Sequence, residues 1–144
     1  NMLVNLMAGG VLIAMTVVIH TLGLIAVTHA MDHIVARFRW HGRRSRVLAM
    51  ITVVLGLFGV MTVEIWAWAI AYLLAGSFDD FETALYFSTV AFSTLGFGDV
   101  IPAPEWRVFA AMEGVNGFLL IGWSTAYLVT AGTRIGPFKS GEHF

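Results

Sequence analysis

The segment Thr94-Leu95-Gly96-Phe97-Gly98-Asp99 has the residue types and spacing to do chemistry with its main chain. Glycine adopts positive φ without steric cost, so glycines at alternate positions let consecutive carbonyls point the same way. Four such segments around an axis would stack rings of carbonyl oxygens that replace the water shell of a cation. Asp99 would add a ring of carboxylates that concentrates cations at the mouth.

Other residues that carry chemistry lie in apolar surroundings. Glu64 and Glu113 each carry an insertion penalty of roughly 2.5–3.5 kcal/mol at the centre of a membrane helix. At comparable depths in their helices they either share a proton as a pH-sensitive strut or are independent carboxyls, hydrogen-bonded to Ser or Thr of the 79–92 segment or kept neutral. His29, Asp32 and His33 fall within one turn. They are either a metal-binding pair of histidines at i and i+4 or interfacial polar residues beside a basic loop. His20, deeper in an apolar stretch, reads as a satisfied packing or inter-helix contact. Nucleophile–base pairs, phosphate loops and cysteines are lacking, which argues against an enzyme and rules out disulfides and thiolate metal sites.

The elements that must position these groups follow from composition. The 144 residues are 58% hydrophobic and 12% charged, whereas soluble domains are about a quarter charged. Three stretches are long enough for a bilayer crossing, which needs roughly 20 apolar residues. Met2 to Met31 has no formal charge, Val47 to Ser77 has only Glu64, and Gly114 to Thr133 has none. The first stretch is too long for a signal peptide's apolar core and lacks a basic leader, so it reads as a retained helix. A segment over 79–92 is too short to span. It must dip into the membrane and hand over to irregular backbone that is buried in protein or lines water. Asp79 and Asp80 supply its N-cap and first-turn carboxylates.

Seven of the eight basic residues lie in two places: Arg37, Arg39, Arg43, Arg44 and Arg46, then Arg134 and Lys139. Basic residues flanking spans stay on the cytoplasmic side. The expected topology is therefore N-terminus outside, the 37–46 loop inside, residues 76–105 outside and C-terminus inside. The exterior segment carries Asp79, Asp80, Glu82, Asp99 and Glu105 against Arg107 alone. The arginine loop either binds anionic lipid headgroups or serves topology only. Trp66, Trp68 and Trp106 are expected in an outer interfacial belt and Trp40 in an inner one.

Residues 80–130 resemble bacterial two-span potassium channels. The hexamer is similar to the family's Thr-Val-Gly-Tyr-Gly-Asp filter. Ala84-Leu85-Tyr86-Phe87-Ser88 is similar to its Ala-Leu-Trp-Trp-Ser pattern. Pro102, Trp106-Arg107, Gly117, Gly122 and Thr125-Ala126 resemble its inner-helix landmarks. The resemblance implies an all-α membrane protein, a fourfold homotetramer around a potassium-conducting pore. Its parts would be an additional helix in 1–36 (about 3–31), a basic loop 37–46 and a pore domain 47–133, then a tail 134–144 with no soluble regulatory domain. The pore domain would comprise outer helix 47–75, pore helix 79–92, filter 94–99 and inner helix 104–132.

By the same resemblance Thr94, Leu95, Gly96 and Phe97 hold potassium through their carbonyls, with Gly98 completing the filter and Asp99 at its outer mouth. No cofactor beyond the permeant ion and no nucleic acid is expected. Gly117, Ile121, Thr125, Val129 and Thr133 recur at helical spacing as a cavity lining or a packing face, with Gly117 a hinge or a close-packing residue. Phe97 lacks the filter tyrosine's phenol, and Val90 replaces a buried glutamate seen in some relatives. Both changes imply a loosely tied filter and readily inactivating or flickering conduction. The first helix lacks the spaced arginines of a voltage sensor. The residues leave open a nonselective monovalent cation channel and a non-conducting regulatory subunit.

Overall fold

The computed structural model describes residues 1–37 and 42–135. Four α-helices account for most of them: α1 (Met2–Arg37), α2 (Arg43–Leu74), α3 (Phe81–Phe92) and α4 (Arg107–Ile135), with a 3-10 turn at Pro104–Trp106 leading into α4. Among the described residues no strand occurs. α1, α2 and the span Pro104–Ile135 are each long and apolar enough to cross a membrane. The helices overrun the expected limits, since α1 continues to Arg37 and α2 begins at Arg43. The apolar count stops where charge begins, but arginine stems can continue a helix into an interface. Arg39, Trp40, Pro137 and Lys139 lie outside the described residues.

α1 and α2 form an antiparallel pair. Gly23 faces Val60 and Gly56 faces Val27 so closely that an added Cβ would come within 2.5 and 2.7 Å of the valine methyls. Small residues at such crossings let helix backbones approach. α4 runs parallel to α1, and polar contacts mark the register. Asn5 donates to the Glu105 carbonyl at 2.8 Å and accepts from the Phe109 amide at 2.8 Å. Asn116 donates to Thr16 at 2.8 Å, and the Thr28 and Tyr127 hydroxyls meet at 2.6 Å.

The short α3 is fixed at both ends. α2 ends at Leu74, and Gly76 beyond it, with a φ of +69°, lets the Gly76 and Ser77 amides return to the Leu73 and Tyr72 carbonyls. This is a Schellman ending. Ser77 then takes the Ala103 amide at 3.1 Å, which holds the turn before α3 against the loop before α4. Asp80 caps α3 by accepting from the Thr83 amide at 2.8 Å and its hydroxyl at 2.7 Å. These bonds, the amide's foremost, hold the Asp80 carboxyl below the ordinary aspartate range.

Behind α3 lies an aromatic core. Tyr72 meets Phe78, Phe87 and Phe109 edge-on with centroids 5.2–5.6 Å apart. Edge-on pairs each contribute about 0.5–1.5 kcal/mol beyond burial. Trp68 packs on Phe109 at 4.8 Å and is fully buried, so it is a core residue and not the interfacial belt residue expected. The aromatic partners that α3 needs on its rear face draw it inward. Trp66 is half exposed against Phe81, and Trp106 is half buried against Phe109.

Candidate functional site

The segment 94–99 leaves the C-terminus of α3 as irregular backbone and is exposed along its length on the single chain. Its φ angles alternate in sign: Thr94 +62°, Gly96 +61° and Gly98 +77° are left-handed, whereas Leu95 and Phe97 are not. Alternation of hand turns successive carbonyls toward a shared edge. Glycine takes this conformation freely, but a residue with a Cβ gives up roughly 1–2 kcal/mol. Thr94 is the sole non-glycine residue with positive φ among the described residues, a departure that the glycine pattern did not reveal. Two bonds hold the start of the segment to α3: the Thr94 amide donates to the Ala91 carbonyl at 3.1 Å, and the Gly96 amide to the Val90 carbonyl at 3.2 Å.

The segment is also held at its far end. The Tyr86 hydroxyl donates to Asp99 Oδ2 at 2.7 Å, tying the far end of the segment to the middle of α3. Asp99 keeps a partner although Phe97 has no phenol and Val90 no carboxylate. In the sequence Tyr86 stands only as one residue of the Ala84–Ser88 pattern. The phenol's reach across thirteen residues depends on the turn at 94–98, which no local spacing shows.

Glu64 and Glu113 are fully buried, but each has its own partners and they make no hydrogen bond to one another. This corrects the shared-proton strut. Glu113 Oε2 accepts from the Tyr72 hydroxyl at 2.7 Å, and Oε1 bonds the Ser88 hydroxyl. Ser88 also lies 3.0 Å from the Ile65 carbonyl. One carboxyl therefore ties α2, α3 and α4 together behind α3. Glu64 turns to α1 instead, where His20 Nδ1 lies 2.7 Å from its Oε1. The two acids face different helices, which depth alone does not distinguish.

Gly117 leaves the proposed lining. It is buried against the end of α3, and an added Cβ would stand 1.9 Å from the Phe92 carbonyl oxygen. Its missing side chain is what lets α4 touch α3 there. Ile121 is half buried against the core, whereas Thr125, Val129 and Thr133 are exposed on α4. The open face of α4 also presents Val115, Phe118 and Leu119, each more than 60% exposed. An apolar face of that size on one chain awaits a partner or lipid. His29, Asp32 and His33 are exposed near the end of α1. No group of three or more possible metal ligands is found among the described residues. Arg37, Arg43 and Arg44 are exposed and gather at the α1–α2 connection, with the buried Ser45 and exposed Arg46 following.

Comparison with known proteins bears on the part of the chain that holds this site. A family model described as "Ion channel" matches residues 58–134, more than half of the chain. No curated protein and no solved structure matches. The match takes in most of α2, all of α3, the 94–99 segment and nearly all of α4.

Proposed function

The chain belongs to the ion-channel family and is a multi-pass membrane protein, and on that premise we propose that four copies assemble into a potassium-selective pore. The observation that carries this reading is the alternating left-handed backbone at Thr94, Gly96 and Gly98 in an exposed segment. One segment supplies oxygens from one side only. A dehydrated ion needs them from all sides, and closed fourfold symmetry of a single chain supplies them.

In this reading the carbonyls of Thr94, Leu95, Gly96 and Phe97 line the path, Gly98 completes the turn of the filter, and Asp99 faces the outer solution. Leu95 and Phe97, 55% and 67% exposed on one chain, pack against neighbouring copies. The C-terminus of α3 points its partial negative charge toward the ion. Thr125 and Val129 line the cavity below, and the exposed apolar face of α4 meets adjacent copies. The protein sits in the cell membrane with its N-terminus outside and its C-terminus in the cytoplasm, where Arg37, Arg43, Arg44 and Arg46 meet anionic headgroups. Conduction is passive.

The test is the mass of the detergent-purified assembly together with potassium uptake by liposomes that contain it. Four copies with uptake that exceeds that of empty liposomes support the reading. A monomer, a trimer or a tight assembly without uptake contradicts it.

A further inference from the structure

A polar network where α1, α2 and α4 meet plays no part in ion passage as proposed above. His20 and Glu64 are both fully buried, with Nδ1 and Oε1 2.7 Å apart. The other ring nitrogen, Nε2, lies 3.3 Å from Ser124 Oγ on α4. Trp123, the preceding residue on α4, packs on the imidazole with ring centroids 4.8 Å apart. One turn along α1, Thr16 holds Asn116 of α4. Glu64 Oε2, Trp68 Nε1 and Asn116 Oδ1 are buried and lack a hydrogen-bond partner among the described residues.

Stability does not account for such a cluster. Replacing a buried ionisable pair by apolar side chains of similar size is commonly neutral or stabilising, because desolvation offsets the attraction. What an apolar pair lacks is the capacity to take up and give off a proton. Histidine is the side chain suited to do so near neutral pH.

We infer that His20 and Glu64 form a proton-binding site through which α1 regulates α4, an inference that rests on the channel reading. Without the extra proton, the imidazole is neutral and Glu64 is a carboxylate. Nδ1–H then donates to Oε1, and Nε2 accepts from the Ser124 hydroxyl. A proton from solvent adds to Nε2 and forms an N–H bond there. The pair becomes neutral overall, and Nε2–H donates to Ser124 Oγ. Ser124 must then turn its own hydrogen elsewhere, for which the carbonyl four residues back on α4 is in reach of a helical serine. One proton thus cancels a buried charge and reverses the hydrogen bond that joins α1 to α4.

Among the described residues the ring meets no ionisable side chain besides Glu64. α2 presents Glu64 to the ring, and α4 presents the uncharged Ser124 and Trp123. Glu113, the other buried carboxyl, is engaged by Tyr72 and Ser88.

The experiment is potassium flux from liposomes between about pH 5 and about pH 9, the span across which a histidine site titrates. Wild type is compared with the double variant His20→Gln, Glu64→Gln, whose amides keep a hydrogen bond but hold no exchangeable charge. A several-fold change of flux with pH in the wild type, flat in a conducting double variant, supports the site. A flat wild type, or a double variant that keeps the wild-type profile, overturns it. Should the double variant fail to assemble or to conduct, or should no chain conduct, the ring ¹⁵N signal of His20 in the wild-type protein decides. A His20 signal that titrates together with the indole ¹⁵N signal of Trp123 supports the site, and a constant His20 signal, or a Trp123 signal that does not follow it, overturns the site. Absence of flux at every pH would count against the channel reading alone.

Discussion

The Tyr72 hydroxyl donates to Glu113 Oε2 at 2.7 Å, and this bond joins α2 to α4 behind the short helix that delivers the 94–99 segment. Both partners are fully buried, so removal of one strands the other. An unsatisfied buried group costs about 1–3 kcal/mol. Glu113→Leu should therefore destabilise by at least that range, whereas Glu113→Gln, which still bonds Tyr72, should cost less. A double-mutant cycle with Tyr72→Phe and Glu113→Leu, each of which removes the bond, read by thermal unfolding in detergent, should give a coupling of roughly 0.5–3 kcal/mol. Additive losses would mean that the bond carries no weight.

Gly117 makes a sharper steric prediction. An alanine there would drive its methyl into the Phe92 carbonyl, a backbone atom that cannot rotate away. Gly117→Ala should lower stability by roughly 1–3 kcal/mol, the usual cost of overpacking. Gly122→Ala, which meets nothing within 4 Å on the same helix in the single chain, should be better tolerated by the isolated chain. Equal losses in thermal unfolding of dissociated protein would refute the assignment of Gly117 to close packing.

Much of this arrangement was legible in the sequence, for physical reasons that differ by residue. Three apolar stretches and a short capped segment announce themselves because bilayer thickness and capping chemistry act locally, and Asp80 indeed caps α3. The alternation Gly96–Gly98 marks the left-handed positions directly, but Thr94 joins them only because the turn imposes it. The acids were the hardest to place. Glu64 and Glu113 are alike in burial, and their different partners follow from rotation about α2 and α4. Rotation is set by packing across helices more than forty residues apart in sequence. The first helix, unmatched by the family pattern, reveals its register only through contacts such as His20 with Glu64 and Asn5 with Phe109.

Asp99 depends on Tyr86 for its one side-chain tie to α3. Tyr86→Phe removes that bond and keeps the ring, so the fold should persist while the segment loosens at its far end. Single-channel recordings should show shorter openings, by several-fold, than those of the wild type. Asp99→Asn should shorten them less, since an amide oxygen still accepts from the phenol. Unchanged dwell times in Tyr86→Phe would mean that the tie does not steady the segment.

The cap of α3 gives a pH dependence with a definite sign. Hydrogen bonds from Thr83 depress the folded-state affinity of the Asp80 carboxyl for its proton. A group depressed in this way contributes stability above its ordinary titration range, and the contribution fades as pH falls through the depressed range. Asp80→Ala should thus lower the unfolding temperature at neutral pH, with the difference from wild type shrinking in acid. A difference that grew on acidification would contradict the assignment.

Selection of potassium by the main-chain oxygens of 94–99 can be read from the reversal potential of currents across a planar bilayer, under a potassium gradient opposed by sodium. The reversal should track the potassium equilibrium potential as the potassium concentration on one side is varied. A reversal that stays near zero, or follows sodium, would contradict such selection.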